Sequence, residues 1–170
     1  SLTKISEQLF VEANENYKIR RLNEIADIRR GKRLIRSELV ENGKYPVYQN
    51  SLTPLGYYDE KNFVGNKTCV ISAGAAGEIF YQEEDFWAAD DCFYFVCEEN
   101  VNNRFLYHVL LGQESLIKGQ VRKASIPRLS RTVVEKLLIP VPPLPIQNEI
   151  VKMLDNFTEL TAELTAELTA

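Results

Sequence analysis

Histidine and cysteine, the residues that most often build metal, redox and nucleophilic sites, are scarce in this chain. Its 170 residues contain one histidine, His108, and three cysteines, Cys69, Cys92 and Cys97. The cysteines are odd in number and lack C-x-x-C spacing, so neither a zinc site nor a disulfide framework follows from them. We interpret them as reduced residues of β-strands, assign His108 a packing role, and predict no metal and no cofactor.

Long apolar runs and secretion signals are missing as well. No run approaches the roughly 18 residues of a membrane-spanning helix, and no signal-peptide pattern opens the sequence. Hydrophobic residues make up 45% and charged residues 26%, which indicates a chain that folds around a core. We therefore expect a cytoplasmic location and no membrane partner.

A net positive charge is absent too, but the charges are unevenly distributed. The formal net charge is −4. Nevertheless, eight basic residues lie within positions 18–36 against two acidic ones, and six lie within positions 118–136 against one. If the two basic stretches meet in space, they form one positive face on an acidic body, as phosphate binding requires. The alternative is two solvated charged segments that lie apart.

Short β-strands separated by turn residues dominate the middle of the chain. Runs rich in aromatic and β-branched residues predict strands, and helical spacing of apolar residues predicts helices. The predicted strands are Tyr45–Tyr48, Gly56–Tyr58, 68–72, 78–81 and Cys92–Cys97. The predicted helices are 2–13, 22–30 with Gly31 as a C-cap, and 103–111, followed by a basic loop to about Arg131 and a helix or strand pair within 132–141. The predicted fold class is mixed α+β, with a twisted β-sheet, flanking helices and a long C-terminal coiled-coil helix.

Four prolines within residues 139–145 (IPVPPLP) precede this last helix. Pro145 suits its first turn, and apolar residues then follow at alternating spacings of four and three, as in a coiled coil. This apolar stripe consists of Ile146, Ile150, Met153, Phe157, Leu160 and Leu164. We predict a dimerisation helix over residues 144–170 after a domain over residues 1–143. The helix ends in T-A-E-L repeats, each of which adds about 6 Å of length.

Patterns for catalysis are weak. A methyltransferase acting on amino groups needs a polar and an aromatic residue around a Pro-Pro pair, whereas apolar residues flank Pro142 and Pro143. A metal-dependent nuclease is formally compatible with Asp-Glu-Lys at positions 59–61. Such short patterns arise by chance, and this one also fits a hairpin turn.

Two further patterns have structural interpretations. Residues 72–77 (SAGAAG) lack the Lys-Ser/Thr that would follow in a P-loop, so we predict a tight turn at Gly74 and Gly77. Small residues in this turn would also let it approach a phosphate backbone closely. We interpret Asp90 and Asp91 as a pair that caps a helix or braces a loop, with ion pairs to arginines as one possibility.

Three segments resemble a known protein family. They are YPVYQNSLTPLGYYDE (residues 45–60), FWAADDCFYFV (86–96) and SIPRLSRTVVEKLLIPVPPLPIQNEIVKMLD (125–155). The last closely resembles the end of a target recognition domain and the start of the conserved helix in the specificity (S) subunits of type I restriction-modification systems. The proline segment followed by Gln147 is its most specific part. The T-A-E-L repeats look like the variable spacer of some members.

The resemblance implies a DNA-recognition subunit without catalytic activity. Members of the family carry two recognition domains joined by two antiparallel helices, and each domain reads one half of a split site in double-stranded DNA. They recruit methyltransferase (M) subunits and motor-nuclease (R) subunits. This chain holds one domain and one helix, so it is either a fragment or a natural half-length subunit, for which we predict a homodimer through the helix. The alternatives are a coiled-coil protein-interaction scaffold and a metal-dependent nuclease domain.

Side chains suited to DNA recognition lie in the predicted loops. Arg and Lys read guanine, Asn and Gln read adenine, and other basic residues anchor phosphates and set the register. We expect base reading by Arg33, Arg36, Gln49, Asn50, Ser51, Arg122, Lys123, Ser125, Arg128, Ser130 and Arg131, and foremost by those within residues 122–131. We expect phosphate contacts by Arg29, Arg30, Lys32 and Lys118.

Overall fold

The structure is a computed structural model that describes residues 17–170 and, ahead of these, only Lys4 and Gln8. The helix predicted over residues 2–13 lies, apart from those two residues, outside the described part of the chain. No helix among the described residues is both long and apolar enough to span a membrane.

Nine strands and five helices make up the described part of the chain, residues 17–170. The strands are β1 (Lys18–Arg21), β2 (Ala26–Arg30), β3 (Tyr45–Tyr48), β4 (Gly56–Tyr58), β5 (Lys67–Ile71), β6 (Ile79–Gln82), β7 (Trp87–Ala88), β8 (Cys92–Cys97) and β9 (Leu138–Val141). The helices are α1 (Leu22–Ile25), α2 (Asn103–Gly112), α3 (Glu114–Gly119), α4 (Arg131–Glu135) and α5 (Leu144–Thr169), and a 3-10 turn spans Arg36–Glu38. The mixed α+β class is therefore confirmed.

The largest sheet is antiparallel, with the strand order β2-β8-β5-β6. Its central strand β8 is apolar on both faces, which explains its nearly continuous run of aromatic residues. Phe93 and Phe95 face the main core beneath α2, whereas Cys92 and Tyr94 face a second cluster around Phe86. Alternate residues of a strand point to opposite faces, so one strand supports both clusters.

A smaller sheet has the order β4-β3-β7, and its strands β3 and β7 are parallel. Val47 and Trp87 pack with Leu34 in a third apolar cluster. The indole nitrogen of Trp87 donates a hydrogen bond to the carbonyl oxygen of Lys32 at 2.9 Å. This bond ties the basic segment after β2 to the smaller sheet.

The third sheet pairs β1 with β9, with Ile19 opposite Pro140. Both strands of a two-stranded sheet are edge strands, which is where proline is tolerated in a strand. The proline-rich segment thus begins as a strand and leads directly into α5, which has Pro145 in its first turn, as predicted.

The predicted helix over residues 22–30 is wrong in its second half. The chain forms only the short helix α1 and then the strand β2, which pairs with β8. Ala26 and Ile28 fit the period of a helix and also that of a strand, and tertiary pairing decided between them. Gly31 is not a C-cap: a β-carbon there would lie 2.1 Å from the carbonyl oxygen of Ala88, so glycine permits a close approach of two backbones.

Most of the other predicted strands and helices of the domain are confirmed, and the predicted basic loop is not. The five predicted strands all occur, with shifts of one residue for β5 and β6, and the helix over 103–111 is α2. The predicted basic loop that follows is interrupted by α3, whose Ile117 is fully buried. All three cysteines lie on strands, and Cys69 and Cys92 are buried. The division into residues 1–143 and 144–170 stays a prediction.

Candidate nucleic-acid interface

A hairpin over residues 122–128 forms the most exposed part of the basic segment. Its base is closed by two backbone hydrogen bonds between Arg122 and Arg128, at 2.8 and 3.1 Å. The residues between them, except Pro127, are exposed, among them Lys123, Ser125 and the apolar Ile126. The hairpin therefore presents basic, short polar and apolar side chains on one projecting loop.

The glycine-containing turn over residues 72–77 supports this hairpin. The backbone N–H of Gly74 donates to the carbonyl oxygen of Pro127 at 3.1 Å, and the next N–H, from Ala75, donates to that of Asn50 at 3.0 Å. Gly74 has a φ of 81° and Gly77 a φ of 88°, so the predicted tight turn is confirmed. Both values fall in the left-handed region that favours glycine. A β-carbon on Gly74 would lie 3.0 Å from the β-carbon of Asn50.

Asp91, directly before β8, lies between the two basic stretches: the N–H of Gly31 donates to the carbonyl oxygen of the adjacent Cys92 at 3.2 Å, and Leu129 is connected to Asp91 through Ser72. Burial and the neighbouring Asp90 raise the pKa of the Asp91 carboxyl, whereas the positive charges of Arg128, Arg30 and Arg33 act in the opposite direction. Arg30 and Arg33 come from the first basic stretch and Arg128 comes from the second. The charges of two segments about 100 residues apart in the sequence therefore act on this one carboxylate.

The backbone of Asp91 is also part of this support. Its carbonyl oxygen accepts from the N–H of Ser72 at 2.8 Å, and the carbonyl oxygen of Ser72 accepts from Leu129 at 2.8 Å. The pair at positions 90 and 91 was predicted to brace a loop, and the hydrogen bond from Ser72 connects it to the glycine-containing turn.

Arg29 and Arg30 are neighbours in β2 but face opposite sides of the sheet. Arg30 pairs with Phe93 in the strand register, and its guanidinium lies 4.9 Å from the centre of that ring. Arg29 pairs with Tyr94 and makes an ion pair of 2.8 Å with Asp27. The structure therefore separates Arg29 from the arginines around Asp91.

Three other predicted residues already have structural partners. Lys118 makes ion pairs with Glu78 at 2.9 Å and with Glu114 at 2.6 Å. Arg131 pairs with Glu135 and also donates to the carbonyl oxygen of Ile28 at 2.8 Å, which links α4 to β2. Ser130 caps α4 by accepting a hydrogen bond from the N–H of Val133 at 3.2 Å.

Backbone hydrogen bonds hold the remaining predicted residues close to β7 and β8. The N–H of Lys32 donates to the carbonyl oxygen of Ala88, and the N–H of Ala89 donates to the carbonyl oxygen of Tyr48, the residue before Gln49. Ser51 is held by its own loop through a hydrogen bond to the carbonyl oxygen of Thr53. Arg36 is exposed in the 3-10 turn.

We define the basic surface as Arg30, Arg33, Arg122, Lys123 and Arg128. Within residues 17–170, none of these five side chains has a carboxylate at ion-pair distance, in contrast to Arg29, Lys118 and Arg131. Cations that have no carboxylate at ion-pair distance, on the end of β2 and on neighbouring loops, attract a polyanion by long-range electrostatics. The arrangement can therefore bind a phosphate backbone and place polar side chains next to it.

The described residues show no group of three or more His, Cys, Asp and Glu side chains placed to hold a metal ion. Within the Asp-Glu-Lys triplet at positions 59–61, Lys61 makes an ion pair with Asp85, which also accepts a hydrogen bond from the N–H of Gly65 at 2.9 Å. These contacts tie the ends of one loop together.

The apolar stripe of α5 is uncovered over most of its length. Met153, Phe157, Leu160 and Leu164 are 61, 52, 60 and 53% exposed, and Ile146 is 37% exposed. Ile150 differs, because it packs against the main core of its own domain. The sequence interpretation missed a second face of the helix, on which Gln147, Leu154 and Asp155 contact the domain. The signal for it was their helical spacing together with the apolar Val151, which also packs against the main core.

The family model described as the type I restriction modification DNA specificity domain matches residues 14–170. The chain belongs to this family. A Mycoplasma pneumoniae protein provisionally named as a type I specificity subunit is 35% identical to it over 153 residues, which are 87% of this chain and 42% of that protein. The specificity subunit of the type I restriction enzyme MpnII, from the same organism, is 29% identical over 93% of this chain and 49% of its own length.

Solved structures of the specificity-subunit family share the fold. The S subunit of a type I restriction-modification system from M. genitalium has a TM-score of 0.78 at 21% identity, over 89% of this chain and 41% of that one. The HsdS subunit of Thermoanaerobacter tengcongensis has a TM-score of 0.69 at 16% identity, over 97% of this chain and 46% of that one. This chain thus spans less than half the length of these relatives.

Proposed function

We propose that this chain recognises one half of a split sequence in double-stranded DNA and contributes no catalytic group. The observation that carries the proposal is that backbone hydrogen bonds bring both basic stretches next to Asp91, whose carboxylate feels the charges of Arg30, Arg33 and Arg128, beside an exposed hairpin. Phosphate binding requires such local positive charge on a protein whose net charge is negative. Membership of the DNA specificity domain family supports the same function.

The proposal assigns different tasks to two parts of the basic surface. The hairpin over residues 122–128 projects from the domain and reads base edges in the major groove, with Asn50 beside it for adenine. Arg30 and Arg33 lie on the framework next to β8 and anchor phosphates, which fixes the register of the domain on the duplex. Among the other predicted residues, Lys32, Arg36, Gln49 and Ser51 flank this surface, whereas Arg29, Lys118 and Arg131 have roles within the fold.

Two arginine variants and a matched control test this assignment. DNA is first selected from a random pool by the full chain, and affinity is then measured by fluorescence anisotropy at several salt concentrations. Arg128→Ala is expected to cost about 1–3 kcal/mol on selected DNA and little on unrelated DNA, and Arg30→Ala to weaken both and reduce the salt dependence. Arg29→Ala is the control, since Arg29 pairs with Asp27 on the other face of β2.

The assignment is wrong if the three variants have the same affinity as one another on the selected DNA and also on unrelated DNA. The whole proposal fails if the wild-type chain binds DNA without any dependence on salt, because several phosphate contacts release counterions and must weaken as salt rises.

We further propose that two copies associate through α5. One domain leaves the apolar stripe exposed from Met153 to Leu164, and a second copy offers an identical stripe. A closed two-fold pair is the commonest symmetry of homo-oligomers. Antiparallel pairing places one recognition domain at each end, so the dimer reads an interrupted palindrome. Methyltransferase and motor-nuclease subunits are the partners that the family implies for such an assembly.

A further inference from the structure

The long helix α5 is attached to the domain by polar contacts as well as by packing, and the first of them is made by Gln147. This side chain is fully buried. Its amide oxygen accepts from the N–H of Asn102 at 2.9 Å, and its amide nitrogen donates to the carbonyl oxygens of Asn100 and Pro142, both at 2.8 Å. Hydrogen bonds are directional, so three of them on one planar amide fix both the position and the rotation of the first turn.

Asn148 accepts a hydrogen bond from the side chain of Asn102 at 2.9 Å, and Asp155 makes the next polar contact, two turns further along. Its carboxylate accepts from Arg104 of α2, with the closest nitrogen at 3.0 Å, and its Oδ1 lies 2.7 Å from Nε2 of His108. The guanidinium of Arg104 also lies 4.7 and 4.8 Å from the ring centres of Tyr81 and Tyr107. The donor of the ion pair is therefore itself held in place on the folded domain.

Beyond this contact the helix receives no support from the domain. Every residue over 156–170 is exposed, and the buried positions of α5 are Gln147 and Leu154. Asp155 is thus the last polar point of attachment before a segment that projects by about 21 Å.

Two fixed points on a stiff helix determine its direction. Gln147 and Asp155 are about 12 Å apart along the axis, and Thr169 is about 33 Å from Gln147. A displacement of about 1 Å at Asp155 therefore becomes one of nearly 3 Å at the end of the helix, which is close to one base-pair step of about 3.4 Å. In a two-fold dimer the displacement acts twice, once for each recognition domain.

We propose that Asp155, held by Arg104 and His108, is a positioning residue that sets the number of base pairs between the two half-sites. It touches no DNA. It acts by fixing the direction in which α5 leaves the domain, and thus the separation and rotation of the two domains. This inference rests on the proposed function, because it concerns a dimer that reads a split site.

The experiment compares the split sites that the wild-type chain and its Asp155→Ala variant select from random DNA. The wild type is expected to select one gap length. The variant is expected to select the same half-site bases with gaps spread over at least two adjacent lengths. Asn156→Ala, at the next and exposed position, is the matched control and should keep the single gap. Sedimentation checks that every variant remains dimeric, since the apolar stripe is unchanged in all of them.

A role confined to stability would lower the melting temperature of Asp155→Ala and leave the gap unchanged, and that result would overturn the inference. If Asp155→Ala does not fold, Asp155→Asn retains one acceptor oxygen and should broaden the gap to a lesser degree; an unaltered single gap in that variant overturns the inference as well. A wild-type chain that selects no split site contradicts the proposed function itself and removes the basis of the inference. If the wild type selects a split site and the Asp155 variants select the same single gap, the inference is wrong but the proposed function stands.

Discussion

The two halves of α5 belong to one continuous helix but depend on different interactions. The attached segment, residues 144–155, has a buried amide, an ion pair and the buried Leu154 against the domain. The projecting segment, residues 156–170, has an exposed apolar stripe and threonines whose hydroxyls donate to carbonyl oxygens one turn back, such as Thr161 to Phe157 at 2.8 Å. Directional contacts fix geometry, whereas an uncovered apolar stripe drives association and specifies position less closely.

The largest effect is expected in the projecting segment. Changing both Leu160 and Leu164 to alanine removes four large side chains from the proposed dimer, at about 1.5–3 kcal/mol for each leucine as an upper bound. Sedimentation should then show monomers at concentrations where the wild type is dimeric, while the unfolding of the single domain stays unchanged. Changing the exposed Glu159 and Glu163 to alanine is the control and should leave the dimer intact. A wild-type chain that is monomeric at tens of micromolar would contradict the difference between the segments.

The next largest effect is expected in the attached segment. Gln147→Ala leaves three backbone groups without their partner, and one of them, the carbonyl oxygen of Pro142, loses a fully buried hydrogen bond, at about 1–3 kcal/mol for such a group. Urea denaturation should show a loss of about 1–3 kcal/mol in the free energy of unfolding. Gln120→Ala, at an exposed glutamine after α3, should cost less than about 0.5 kcal/mol. Equal losses in the two variants would mean that the amide contacts do not hold the helix.

A smaller effect is expected in the pH dependence of the free energy of unfolding. Burial lowers the pKa of His108 by more than its hydrogen bond to Asp155 raises it. The unfolded chain therefore takes up a proton first, near the ordinary histidine pKa of about 6.5. The contribution of neutral His108 is fully present above that pH and is lost as the pH falls through it toward the lower pKa of the folded state.

Urea denaturation between pH 7.5 and pH 5.5 measures this contribution. The free energy of unfolding should decrease with falling pH in the wild type, and the decrease should be smaller in His108→Gln, because the chain has no other histidine. For Asp155, burial raises the carboxyl pKa, but hydrogen bonds from Arg104 and His108 outweigh burial and lower it. Its contribution is therefore lost only below about pH 4, outside this range. If the free energy of unfolding decreases equally with pH in the wild type and in His108→Gln, His108 does not contribute to the pH dependence.

The fold of the described residues could be predicted from the sequence where a pattern had one interpretation. The run CFYFVC became the central strand β8, and the spacing of Phe105, Leu106 and Val109 became α2. Residues 22–30 fit two periods, and only the pairing with β8 decided in favour of a strand for Ala26–Arg30. Ile117 and its helix α3 were missed because the surrounding charges suggested a loop.

In the candidate interface, too, some features could be predicted from the sequence and others depended on the tertiary structure. The sequence by itself determined that two basic stretches exist, that Gly74 and Gly77 form a tight turn, and that an apolar stripe follows the prolines, because composition and spacing are local properties. Only the tertiary structure decided that Arg30 and Arg33 meet Arg128 at Asp91, while Arg29 faces away. It also decided that Gln147 and Asp155 hold α5 to the domain. These outcomes depend on strand register and on which helix faces which, and both are set by long-range packing that no local pattern contains.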